Sequence, residues 1–144
     1  MAQHMNELRR TDNQVVQVVG VALMGSWLQG GQACRVGTTS GHDCGVITSW
    51  RTSRLSQATG WASMTVTQVS TVNFDSTGGD SGGAVFKYVG GGTAGDVYAL
   101  GTHVHSEPDG PSADEGWFSG INEGEDDFSA RFSFDYTVCQ TPAC

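Results

Sequence analysis

Residues 63–89 read SMTVTQVSTVNFDSTGGDSGGAVFKYV, and they hold in miniature the pattern of the whole chain. MTVTQVSTV at 64–72 alternates over several residues between apolar and small polar side chains, the period of a strand with one buried face. A glycine-rich run then forces a turn, and AVFKYV at 84–89 starts a second short strand. The same signature recurs outward from this stretch. QVVQVVGVAL at 14–23 is too apolar for simple alternation and reads as a mostly buried strand, and further strands are expected at 32–36, 44–50, 97–105, 115–119 and 128–138. Seven or eight short strands separated by turns rich in the chain's 21 glycines predict an all-β fold, an antiparallel barrel or sandwich.

With 144 residues the chain is the size of one domain. Residues 1–13 (MAQHMNELRRTDN) are polar and unlike the strands that follow, so they read as a tail or linker remnant, and 14–144 as a single domain. A formal net charge of -8 argues against nucleic acid or an anionic membrane surface as partner, since both reward Lys and Arg. No segment approaches the roughly 18 apolar residues of a membrane span, and no apolar leader follows a basic start. Four cysteines stand as Cys34 with Cys44 and Cys139 with Cys144, without the CxxC spacing of zinc or redox sites. They fit a disulfide framework in an exported protein, whose leader would then lie outside this sequence. Glu107, Asp109, Asp114, Glu115, Glu123, Glu125, Asp126 and Asp127 follow no EF-hand spacing and read as a solvated acidic loop within 106–127. No metal and no cofactor are expected.

GDSGG at 79–83 carries the most chemistry. A serine flanked by glycines has an exposed hydroxyl, and its own amide can converge with that of Gly79 on the point where an oxyanion would develop. Such a hydroxyl is a weak nucleophile at neutral pH without a base.

CRVGTTSGHDCG at 34–45 resembles the disulfide loop that opens the second barrel of bacterial chymotrypsin-like serine proteases of the streptogrisin and α-lytic type, and GDSGG follows in the right order. The resemblance covers about residues 14–105. It implies a single antiparallel Greek-key β-barrel corresponding to the second barrel of that two-barrel fold, with Cys34 bonded to Cys44, which leaves Cys139 for Cys144. It implies Ser81 as nucleophile, the amides of Gly79 and Ser81 as oxyanion hole, and Asp80 as a structural carboxylate paired with Arg35. DSTGGDSGG at 75–83 aligns without gaps with the trypsin-type DSCQGDSGG run, which places Asp75 at the base of a pocket for a substrate Lys or Arg. Thr77 replaces the cysteine that usually braces that pocket. GTHVH at 101–105 is similar to the strand with which glutamate-specific relatives bind an acidic side chain, so His103 pulls the preference the other way; it also reads simply as an inward strand residue.

In that family the catalytic histidine sits in an Ala-x-His-Cys-like run of the first barrel, and no such run exists here. The histidines are His4, His42, His103 and His105, and none occupies that place, although His105 is conceivable as a substitute base. The resulting expectation is the nucleophile-bearing half of a secreted serine endopeptidase acting on peptides or proteins, inactive without the missing first barrel. The alternative is a non-catalytic barrel module that self-associates into a homo-oligomer through its exposed inter-barrel face.

Overall fold

The computed structural model describes residues 7–10, 14–22, 25, 28–56, 64–107 and 115–122 of the chain. They contain eight strands: β1 (Glu7–Arg9), β2 (Val15–Val21), β3 (Gln32–Gly37), β4 (Gly41–Ser56), β5 (Met64–Val72), β6 (Ala84–Tyr88), β7 (Val97–Glu107) and β8 (Glu115–Gly120). β3, β4 and β5 pair successively, and β6 then returns to lie beside β3. That return is the Greek-key connection. β7 follows β6, and β8 pairs with both β7 and β5, so six antiparallel strands close on themselves and leave no barrel edge unpaired.

Strand alternation sorts the buried side chains into two clusters. Leu28, Ala33, Ile47, Val72, Phe74, Val85, Leu100 and Phe118 form one. Their immediate neighbours Cys34 and Phe86 belong to the other, with Val16, Tyr88 and Val97. The β3–β6 wall is therefore covered on both faces, which is why QACRVG lacks a polar side.

The second cover comes from the N-terminal strands. β2 runs parallel to β7 through Val18↔Val97, Gly20↔Tyr98 and Val21↔Ala99, and β1 folds back antiparallel on β2. Leu8 and Val18 pack against the second cluster. Arg10 then anchors the flap, its Nη1 donating to Tyr88 Oη at 3.1 Å and to the Thr93 carbonyl at 3.0 Å. The polar stretch 1–13 thus contributes a strand at Glu7–Arg9.

The chain departs from the sequence expectation mainly in strand length. β4 spans 16 residues rather than 44–50, and β7 extends to Glu107, inside the stretch read as acidic loop. The expected disulfide loop at 34–45 is a β-hairpin in which Cys34 and Cys44 face each other across the ladder, joined by a disulfide. The expected strand at 128–138, and Cys139 and Cys144, lie outside the described residues.

Candidate active site

The turn bearing Ser81 is built around a buried ion pair. Arg35 leaves β3 toward the side opposite the Cys34 disulfide, and its Nη1 lies 3.1 Å from Asp80 Oδ2, both side chains fully excluded from solvent. Each charge is further satisfied. Asp80 Oδ1 accepts the amides of Thr39 and Ser40 at 2.9 Å each, and Oδ2 accepts that of Thr77 at 3.1 Å. The Arg35 Nη2 donates to the Asp75 carbonyl, and its Cζ lies 5.3 Å from the Phe74 ring centroid.

This environment holds both groups charged. Burial pushes the Asp80 carboxyl up, but the hydrogen bonds from the hydroxyl and amide of Ser40 and the amides of Thr77 and Thr39 outweigh it and leave the group well below the usual carboxylate range. Burial lowers Arg35, while Asp80, Asp43 and Asp75 act in the opposite sense. Gly37 lets the two approach, because a Cβ there would overlap the Arg35 guanidinium and the Asp80 carboxylate.

Asp80 therefore fixes the loop from inside, and backbone bonds fix it from outside. The Asp80 amide donates to Thr77 O at 3.2 Å, and Gly83 donates to Asp80 O at 3.0 Å. On the β7 side, Gly82 donates to His103 O and His103 donates to Gly83 O, each at 2.9 Å. Gly79 adopts φ +100, a left-handed conformation that a side chain would resist, and a Cβ there would strike the Thr39 hydroxyl. Among the described residues, the amides of Gly79 and Ser81 donate to no protein acceptor. An oxyanion hole needs two such donors aimed at one point.

Ser81 is exposed, and its Oγ donates to the Val104 carbonyl at 3.4 Å. Among the described residues it makes no hydrogen bond to a histidine. His42 stands at the Cys34–Cys44 disulfide, 3.7 Å from Cys44 Sγ. His105 packs on Trp117 with ring centroids 4.6 Å apart. His103 is 1% exposed and tilts against Phe74 at 5.9 Å. Burial, with Arg35 and His105 adding to it against the opposing charge of Asp80, lowers it to about 4, so it is neutral at pH 7. His4 lies outside the described residues.

Asp75 is exposed, at the start of the same loop. Its amide donates to Asp43 Oδ2 at 2.8 Å, and Asp43 Oδ1 accepts the Cys44 amide at 2.9 Å. Asp43 thus ties the loop to the hairpin, as the Thr39 and Ser40 amides do. The sequence reading missed all three. Backbone amides carry no residue signal, and an acidic side chain between His42 and Cys44 looks like ordinary surface.

Solved structures that this chain matches include serine proteases. The chain superimposes on Cellulomonas bogoriensis chymotrypsin with a TM-score of 0.64 at 20% identity, over 94% of this chain and 63% of that one. It carries one barrel of the chymotrypsin fold. The same chymotrypsin-type barrel matches Thermobifida fusca protease A (TM-score 0.63, 24% identity, 93% of this chain and 61% of that one). It also matches a glutamic acid-specific serine protease that uses a histidine triad in substrate binding (TM-score 0.63, 20% identity, 85% and 57%). The chain thus spans about three fifths of the length of these proteases. No family model matches the sequence, and no curated protein matches it.

Proposed function

We propose that this barrel is the nucleophile-bearing half of a secreted serine endopeptidase that cleaves peptide bonds through an acyl-enzyme. In this reading Ser81 attacks the carbonyl carbon, the amides of Gly79 and Ser81 receive the oxyanion, and the Arg35–Asp80 pair keeps those amides aimed. The observation that carries it is that buried pair, because it sets a serine turn with two unengaged amides inside a chymotrypsin-type barrel. The general base and its orienting carboxylate come from a first barrel docked beside Ser81. Without them the hydroxyl stays protonated and hydrolysis falls by orders of magnitude, to a residual on the order of 10³–10⁴ over water.

For the residue preceding the cleaved bond, the exposed Asp75 carboxylate favours Lys or Arg. A second reading has one specific support: the glutamic acid-specific relative binds substrate through histidines, and His103 stands on β7 beside the Ser81 turn. Burial counts against it, since a neutral, solvent-excluded imidazole offers no charge to an acidic side chain. Peptides matched except for Lys, Arg or Glu at that position decide between them.

A phosphonate active-site probe with intact-mass readout tests the main reading. These 144 residues alone remain unlabelled, while the gene product with its upstream barrel is labelled at Ser81, and Ser81→Ala abolishes the label. Rapid labelling and peptide cleavage by the isolated chain would overturn the incomplete site. An unlabelled complete product would overturn the enzyme and leave the self-associating module.

A further inference from the structure

The hairpin register places three soft-metal donors together on the outer face of the β3–β4 wall. Cys34 stands directly opposite Cys44, and His42 precedes Cys44 by two residues on the same strand, so all three side chains leave the same face. Their donor atoms lie within 4.8 Å of one another, with His42 Nε2 at 3.7 Å from Cys44 Sγ. Zinc bonds of about 2.3 Å to sulfur and 2.0 Å to nitrogen give a tetrahedral S···N edge of roughly 3.5 Å, so that edge is almost in place. Asp43, between His42 and Cys44, points to the other face and spends its carboxylate on the amides of Cys44 and Asp75.

Neighbouring aromatic side chains hold the His42 ring in place. Tyr88 Oη, fully buried, lies 3.3 Å from His42 Nε2, and on its other side it accepts a hydrogen bond from Arg10 Nη1. Tyr88 Oη donates to His42 Nε2 or accepts from it according to the His42 tautomer; a metal takes the Nε2 lone pair, so this hydrogen bond gives way when the ion binds. The His42 ring stacks on Phe86 at 6.0 Å, which fixes its plane. Cys34 is buried, while His42 and Cys44 are half-exposed and give an entering ion its path.

In the oxidised protein the two sulfurs are bonded to each other and cannot act as thiolates. We infer that the Cys34–Cys44 disulfide is the closed state of a zinc-class metal site, opened by reduction and formed by Cys34, His42 and Cys44 with a fourth position left to water. Opening needs a named reductant. A water-soluble phosphine takes up oxygen from water to become its oxide, and the disulfide gains two electrons and two protons to become two thiols. The metal then binds both sulfurs as thiolates and releases those two protons, while the neutral imidazole loses none. This inference does not rest on the protease reading, since none of the three ligands belongs to the Ser81 turn.

Cobalt(II) is the probe, because tetrahedral thiolate coordination gives a near-ultraviolet charge-transfer band and intense visible bands. The full chain is studied in a Cys139→Ser/Cys144→Ser background, so that only Cys34 and Cys44 supply sulfur. The oxidised protein stays colourless. The phosphine-reduced protein takes up one equivalent of cobalt with both sets of bands, zinc displaces it, and zinc raises the thermal midpoint of the reduced protein. His42→Ala weakens cobalt binding about tenfold or more and shifts the visible bands. Absence of the bands in the reduced protein overturns the inference, and so does equal affinity in the His42→Ala variant, which would signify two adventitious thiols. If reduction unfolds the chain, recovery of near-ultraviolet circular dichroism on adding zinc supports the site, and failure to recover counts against it.

Discussion

The Arg35–Asp80 pair sets the energetics at the residue scale because each charge is buried and neither tolerates loss of the other. Removing one partner strands the second, so Asp80→Asn or Arg35→Met is expected to cost about 3–5 kcal/mol of unfolding free energy. In denaturant titrations the double variant loses less than the sum of the two. His103 supplies a pH dependence of its own. Its folded value of about 4 lies below its ordinary 6.5, so between those values the unfolded chain binds a proton that the folded chain refuses. Stability is full above pH 6.5 and falls as pH drops through that window, by at most about 3 kcal/mol. Unfolding midpoints at pH 7 and 4.5 check this, and His103→Gln flattens the slope between them. Asp80 acts lower, contributing stability that is present above its ordinary 3.8 and lost as pH falls toward its depressed folded value.

At the scale of elements, the Ser81 turn and the β3–β4 hairpin form one unit. Thr39, Ser40 and Asp43 reach from the hairpin to Asp80 and Asp75, so the shape of the turn depends on a segment forty residues away. Gly79→Ala tests that dependence: its φ of +100 and the Thr39 hydroxyl in its path predict a loss of about 1–3 kcal/mol. Thr39→Gly in the same background recovers the steric part and leaves the backbone part, measurable as partial recovery of the unfolding midpoint.

The strands around this unit were legible where hydrophobic runs were bounded by glycine, as in AVFKYV and MTVTQVSTV. β4 was read short because it runs past Trp50 into polar residues, with register shifts between Ile47 and Arg54 that break the alternation. Arg35 and Asp80 were found through the resemblance of their motifs to those of bacterial proteases, not through any local pattern. Asp43 was invisible because its role depends on where Asp75 lands in space.

At the scale of the whole molecule, six strands close the barrel and two more seal its outer wall. Deleting residues 1–10 removes β1 and the Arg10 bonds to Tyr88 and Thr93 while leaving every barrel pairing intact. The expected outcome is an unchanged far-ultraviolet spectrum, a lower thermal midpoint and increased binding of a hydrophobic dye at the uncovered wall. An unchanged midpoint would mean that the flap contributes nothing to stability. The chymotrypsin-type architecture could be anticipated because two separated motifs shared one order. The flap could not, because nothing in ELR announces a strand until a partner exists for it to pair with.

The parallel pairing of β2 with β7 also orders events in time. Val18 waits for Val97, about 80 residues downstream, and closing so large a loop is entropically unfavourable until the barrel has brought its ends together. During synthesis the valine-rich segment leaves the ribosome well before its β7 partner and pairs late, so the chain spends its vulnerable interval with an unsatisfied sticky strand in the open. Chaperone dependence and kinetic trapping in refolding experiments are expected to trace to that one delayed embrace.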